Sequence, residues 1–189
     1  MAARFYLALD LGQAADHTAL VILERRRRDV PLRLRYVERM DLGTSYAVVV
    51  ERVRDLAGSR ELAGKCELVV DGTGVGRAVV DLLRDAGLGC RIRAVSITAG
   101  ETESYRGGYH RVPKRSLVLE LQAVVQRDGL MIAGEMKDAE ILLREMREMR
   151  VRVGDGGREE FGVWRRGEHD DLVLAAALAV WGAAVFDRI

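Results

Sequence analysis

The residues that most constrain this chain are RFYLALDLGQAADHTALVIL, Arg4 to Leu23. An apolar run climbs to a single carboxylate, Asp10, crosses a turn containing Gly12, and descends again through Thr18 to Leu23. Two apolar runs joined by a short polar turn read as paired strands of a buried sheet. An ionised carboxylate at the end of a buried strand is costly unless it is paired, hydrogen-bonded or bound to a metal. What partners Asp10 is therefore the question that organises the rest of the chain.

Residues 5–10 form the first strand and residues 18–26 its hairpin partner. Residues 32–40 alternate as a third strand, with the basic turn Arg25–Arg28 and Pro31 between. Ser45 opens a helix on which Val48, Val49, Val53 and Leu56 recur at helical spacing, and Gly58 ends it. Glu67–Asp71 is a second strand closing on an acid. Gly72, Gly74 and Gly76 follow, then a helix to Asp85 and a strand over Arg91–Ile97. Ala99–Val112 is polar and aperiodic, so it is expected as a long loop.

Lys114–Arg127 and Asp138–Met149 read as helices, with Leu130–Ile132 a short extended piece between them. VRVGDGGREEFGVWR reads as a hairpin with Gly154–Gly157 at its tip. The final run, HDDLVLAAALAVWGAAVF, is apolar on every face and so a buried helix. No repeat or linker interrupts the pattern, and residues 1–189 are expected to form one domain.

This order implies an α/β domain with a mixed sheet. A right-handed crossover laying the Asp71 strand parallel to the first gives the order 3-2-1-4-5, which reverses between strands 1 and 4. Ligands in open α/β sheets sit beyond the strand C-termini at such a reversal. Asp10 and Asp71 both end their strands, and neighbouring strands lie about 4.8 Å apart. Asp170 and Asp171 open the buried helix, whose positive dipole end keeps an acid ionised. Each acid alone has an ordinary use as a turn residue or helix cap. Together they would repel one another without a divalent cation, and hard oxygen ligands suit Mg²⁺ or Mn²⁺.

Thirty basic and twenty-nine acidic residues leave a net charge of +1, so the distribution of charge matters more than its sum. Basic residues cluster at Arg25–Arg28 and from Arg106 to Arg115. Cys66 and Cys90 lack zinc-ligand spacing, and a chain of this size needs no disulfide framework, which suits a reducing cytosol. No apolar run is long enough for a membrane span, and the chain enters its first strand without a signal peptide. A cytoplasmic protein with no membrane partner is expected.

Four segments, ALDLGQAADHTAL, ELVVDGTGVGRAVVDLL, VPKRSLVLELQAVVQRDGLMIA and GEHDDLVLAAALAVW, together resemble the nuclease domain of phage terminase large subunits. The resemblance runs from Asp10 to Trp181. It implies a ribonuclease H-like fold related to Holliday-junction resolvases: a five-stranded mixed sheet flanked by helices, plus the C-terminal-region hairpin. It also implies Mg²⁺- or Mn²⁺-dependent endonucleolytic cutting of double-stranded DNA during genome packaging, with two metal ions at the site. Asp10, Asp71, Asp171 and Asp170 match the catalytic, metal-binding acids, with Asp171 favoured over Asp170 as the shared ligand. His169 is an auxiliary candidate, and Arg106, Arg111, Lys114 and Arg115 are candidate DNA contacts. The implied setting is a bacterial host carrying the phage or prophage. The implied partners are an ATPase motor domain, a small terminase subunit and the portal. This chain holds no GxxxxGK[ST] motif and so lacks the motor's own phosphate loop.

Other functions compete. A resolvase-like or other ribonuclease H-like nuclease uses the same acids. An actin-like ATPase fragment would use the two glycine-containing turns, but that fold needs two such lobes. A non-catalytic DNA-binding module using the basic clusters, with Tyr105 and Tyr109 interleaved, leaves the placed acids unexplained. A dinucleotide fingerprint fails because Arg77 stands where its last glycine belongs.

Overall fold

A computed structural model describes residues 3–12, 16–153, 159–162 and 169–186. Its first three strands are β1 (Arg4–Asp10), β2 (Ala19–Arg25) and β3 (Leu32–Arg39), an antiparallel meander. Helix α1 (Tyr46–Ala57) then crosses over to β4 (Cys66–Asp71), which pairs parallel with β1. Ser45 caps α1 by accepting the Val48 N–H, and Gly58 closes it. Helix α2 (Gly76–Asp85) leads to β5 (Arg91–Thr98), parallel to β4. The expected 3-2-1-4-5 order is therefore present.

The sheet is larger than five strands. Ser104–Arg106 and Tyr109–Pro113 form a hairpin, β6 and β7, and β7 joins the β5 edge in parallel. The expected long loop from Ala99 to Val112 thus contains sheet. All of β6 is exposed, so no apolar alternation marks it in the sequence. Helix α3 (Lys114–Gln126) follows Pro113, and β8 (Leu130–Ile132) extends the other edge beside β3. The full order is β6-β7-β5-β4-β1-β2-β3-β8. Helix α4 (Ala139–Glu148) precedes a separate hairpin, β9 (Arg150–Val153) with β10 (Glu159–Gly162). Its expected tip, Gly154–Gly157, lies outside the described residues.

Helices cover both sheet faces. On one, Leu7, Leu9, Leu20 and Ile22 pack with α1 and α2 through Val49, Val53, Val79 and Leu83. On the other, Tyr6, Ala8, Val21 and Val69 pack against α5 (Asp171–Phe186), with α3 and α4 outside it. Nearly every α5 residue is buried, as its apolar circumference requires. Gly182 allows the close approach: a Cβ there would stand 2.7 Å from Val69 Cγ2. The far end of α5 meets the start of β1, where Arg4 Nη1 donates to the Phe186 carbonyl at 3.2 Å. Helix α5 therefore runs antiparallel to β1 and delivers its N-terminus to the Asp10 end. Among the described residues no helix is long and apolar enough to cross a membrane.

Candidate active site

Strand periodicity aims the acids. Tyr6 and Ala8 face α5, so the two-residue repeat directs Asp10 the same way. Val69 also faces α5, which puts Asp71 on that side, and the α5 N-terminus supplies Asp171. Asp10 is 7% exposed and Asp171 6%. No hydrogen bond from a described residue reaches the Asp10 carboxylate. Burial pushes it well above the usual carboxylate range, and Asp71, Asp171 and Asp170 push it further, with Lys114 opposing.

Asp71 and Asp171 are raised as well, first by burial. Asp71 is steadied by Thr73, whose N–H and Oγ1 lie 2.9 and 2.5 Å from Oδ1. Thr73 Oγ1 in turn accepts the Ile97 N–H at 2.9 Å, tying the end of β4 to β5. Gly76 completes this turn: a Cβ there would fall 2.3 Å from the Asp71 carbonyl oxygen. Asp171 Oδ2 accepts the His17 N–H at 3.2 Å.

Around Asp171 the structure closes a second group. Ligand atoms of Asp16, His169 and Asp171 all lie within 4.8 Å of one another, and His169 Nδ1 is 3.8 Å from both carboxylates. The His17 ring meets His169 edge-on at 5.0 Å and is held by the Met40 carbonyl, 2.7 Å from Nδ1. Asp16 and His17 read in the sequence as ordinary turn residues, and only the fold brings them to Asp171.

Lys114, a candidate DNA contact in the sequence, is turned inward. Its Nζ lies 2.7 Å from Asp170 Oδ2, so it brings a positive charge into the acidic cluster. Arg106, Arg111 and Arg115 are exposed on β6, β7 and α3. Tyr105 projects from β6, 66% exposed, against His110, whereas Tyr109 is packed beneath Arg77 and Arg84. The Arg25–Arg28 turn lies at the other end of the sheet, with Arg25 opposite Arg4 in register.

Sequence reading missed Glu145. It reaches from α4 to the N-terminus of α5, where Oε2 accepts the Leu172 and Val173 N–H groups at 3.0 and 3.2 Å. Arg39 Nη1 stands 3.7 Å from its other oxygen. Burial first, then the Asp171 charge, pushes the Glu145 carboxyl up to about 7, against the opposing hydrogen bonds and Arg39.

The chemistry of this donor set fits a hard divalent cation: several carboxylates, one with no hydrogen-bond donor among the described residues, at strand ends beside a helix N-terminus. A sequence profile described as the terminase RNaseH-like domain matches residues 7–181. Comparison with curated proteins returns no match. The large terminase nuclease of thermophilic phage G20c with bound magnesium is similar at 21% identity and TM-score 0.72, covering 95% of this chain and 81% of that one. The nuclease domain of the bacteriophage SPP1 large terminase with bound Mn is similar at 15% identity and TM-score 0.60, covering 98% and 86%. The Mn-soaked terminase nuclease domain of human cytomegalovirus gives 15% identity and TM-score 0.62, with 97% of this chain matched to 85% of that one.

Proposed function

The chain belongs to the terminase RNaseH-like domain family, and from that membership and its carboxylate cluster we propose that it is a divalent-metal-dependent endonuclease. Its substrate in this reading is double-stranded DNA, cut during genome packaging alongside a motor domain, small terminase subunit and portal. The observation that carries the reading is Asp10: a buried carboxylate, without a hydrogen-bond donor among the described residues, facing three further acids. Uncompensated charge of that kind is tolerable only beside a cation.

Asp10, Asp71 and Asp171 would hold Mg²⁺ or Mn²⁺, with Asp170 assisting. Asp171 also belongs to the group with Asp16 and His169, so those two residues would join it in holding a cation on that side of the cluster. When bound, such ions supply Lewis-acid polarisation of the phosphodiester and a water acidic enough to attack it. Thr73 and the His17 N–H fix the Asp71 and Asp171 carboxylates that would hold the cation. His169, beside Asp16 and Asp171, is placed to accept a proton. Lys114 balances the acids before substrate arrives, and Arg106, Arg111 and Arg115 hold backbone phosphates of the duplex. Contacts of that type carry no sequence preference.

The test is plasmid nicking and linearisation with Mn²⁺, Mg²⁺ or EDTA. Asp10→Asn, Asp71→Asn and Asp171→Asn, each verified as folded, are expected to lower metal-dependent cutting at least about 100-fold. Folded wild-type protein that binds DNA and cuts under neither metal overturns the reading.

A further inference from the structure

A cleft of about 1150 Å³ opens at the end of the sheet opposite Asp10. It is framed by the starts of β1, β4 and β5 and by the turn leaving β2. Arg4 and Asp10 stand at opposite ends of β1, six residue steps apart, about 20 Å of strand. The cleft is thus a separate place from the carboxylate cluster. Eight of its lining residues are Lys or Arg and two are acids, in a chain whose net charge is only +1.

The internal pairs leave cations over. Both lining acids are taken, Asp29 by Arg27 and Glu67 by Arg93. Arg25, Lys65 and Arg91 make no ion pair among the described residues. Arg25 Nε is, in addition, buried without a hydrogen-bond acceptor, a costly state for a guanidinium N–H. Three cations on one concave wall, unpaired among the described residues, call for a ligand that brings several negative charges into a small volume. The cleft is only slightly larger than small-molecule sites of about 300–1,000 Å³, so it suits a compact anion better than a duplex.

We propose that this cleft binds a compact cluster of phosphates, a terminal phosphate with further phosphate charge close behind it, the shared chemistry of a nucleoside triphosphate and a 5′-phosphorylated nucleic-acid strand end. Arginine forks match phosphate oxygens in bidentate pairs. Gly64 and Gly89 line the cleft with positive φ, and a Cβ at either would meet nothing within 4 Å, so anion oxygens can come close to the main chain there. Carboxylates of an acidic peptide are a weaker match. Neighbours on one face of an extended chain are about 6.6 Å apart, which spreads the charge that the cleft gathers. The site does not depend on the nuclease reading, and a chain unable to cut DNA still has it.

The experiment is calorimetric titration of the full chain with inorganic triphosphate in EDTA and 150 mM salt, on the order of physiological ionic strength. Saturable one-site binding is expected. The double variant Lys65→Ala/Arg91→Ala, both at exposed positions, is expected to weaken it at least tenfold with an unchanged urea midpoint. Asp10→Asn is expected to leave it unaltered. Displacement by ATP but not by a 5′-phosphorylated octanucleotide assigns a nucleotide source. The reverse assigns a strand end. No saturable binding, binding indifferent to the double variant, or binding of an oligoglutamate peptide in place of triphosphate overturns the proposal.

Discussion

Glu145 Oε2 accepts the backbone N–H of Leu172 at 3.0 Å, so a carboxylate from α4 caps the helix that presents Asp171. The same oxygen takes the Val173 N–H, and Glu145 itself is 3% exposed. Two donors of the first turn are thereby satisfied without water. Replacing Glu145 by Ala strands them in a buried place and is expected to cost about 1–3 kcal/mol in urea denaturation at pH 6. Glu145→Gln keeps an acceptor oxygen and should lose less. Equal stability of the Ala variant and wild type would show that α5 needs no such cap.

The cluster also sets a pH dependence. Asp10, Asp71 and Asp171 have raised folded-state pKa values, and Glu145 is raised from 4.5 to about 7. Between the unfolded and folded values the native state holds more protons, so stability is greatest below the unfolded value and falls as pH rises through the folded one. In EDTA the melting temperature should decline from about pH 5 to about 7.5, with Glu145 alone contributing up to about 3 kcal/mol. Mg²⁺ at pH 7.5 should recover part of that loss, because it binds the native state. A profile that rises across this window contradicts the raised values.

Much of this architecture is legible along the chain. The runs ending at Asp10 and Asp71, the Ser45 cap and the all-apolar final helix each carry a local signal, and together they give the central strand order. The missing parts have none. Strand β6 is exposed throughout and β7 buries only its last two residues, Val112 and Pro113, so their pairing is decided by the free edge of β5 rather than by an alternating pattern of their own. Glu145 sits in an amphipathic helix like any surface acid, and its role exists only because α4 packs on α5. Asp16 is brought to Asp171 by the β1–β2 connection, and the Lys114 pairing with Asp170 spans 56 residues.

In the proposed site Lys114 and a divalent cation would compete for the same carboxylates. The ammonium lies 2.7 Å from Asp170 Oδ2 and lowers the Asp10 and Asp71 pKa values. Lys114→Gln is expected to lower the melting temperature in EDTA while tightening Mn²⁺ binding a few-fold, read by calorimetry or electron paramagnetic resonance. Mn²⁺ affinity unchanged by the substitution means that the two cations occupy separate ground.

Gly76 holds the Asp71 turn through contact rather than charge. With the Asp71 carbonyl oxygen 2.3 Å from where a Cβ would stand, Gly76→Ala must displace backbone. A loss of about 1–3 kcal/mol is expected, the usual cost of overpacking. Gly74→Ala provides the contrast: its site is open, but its φ of +58° disfavours a side chain, so the expected loss is about 1 kcal/mol. Nicking activity should fall further for Gly76→Ala, since Asp71 moves with its carbonyl. Equal activities would mean that the strand end tolerates the shift.

Asp10→Asn separates folding from function most sharply. In the absence of metal, Asp10 is destabilising: it is buried, receives no hydrogen bond from a described residue and is repelled by Asp71, Asp171 and Asp170. Asparagine keeps its shape and removes the charge. The variant should therefore melt higher than wild type in EDTA at pH 7.5, by on the order of 1 kcal/mol. Mg²⁺ or Mn²⁺ should raise the wild-type melting temperature and leave the variant nearly unmoved, reversing their order. A variant less stable than wild type in EDTA would mean that Asp10 supports the fold without a metal. The buried acid at the end of β1 would then have a partner other than a cation.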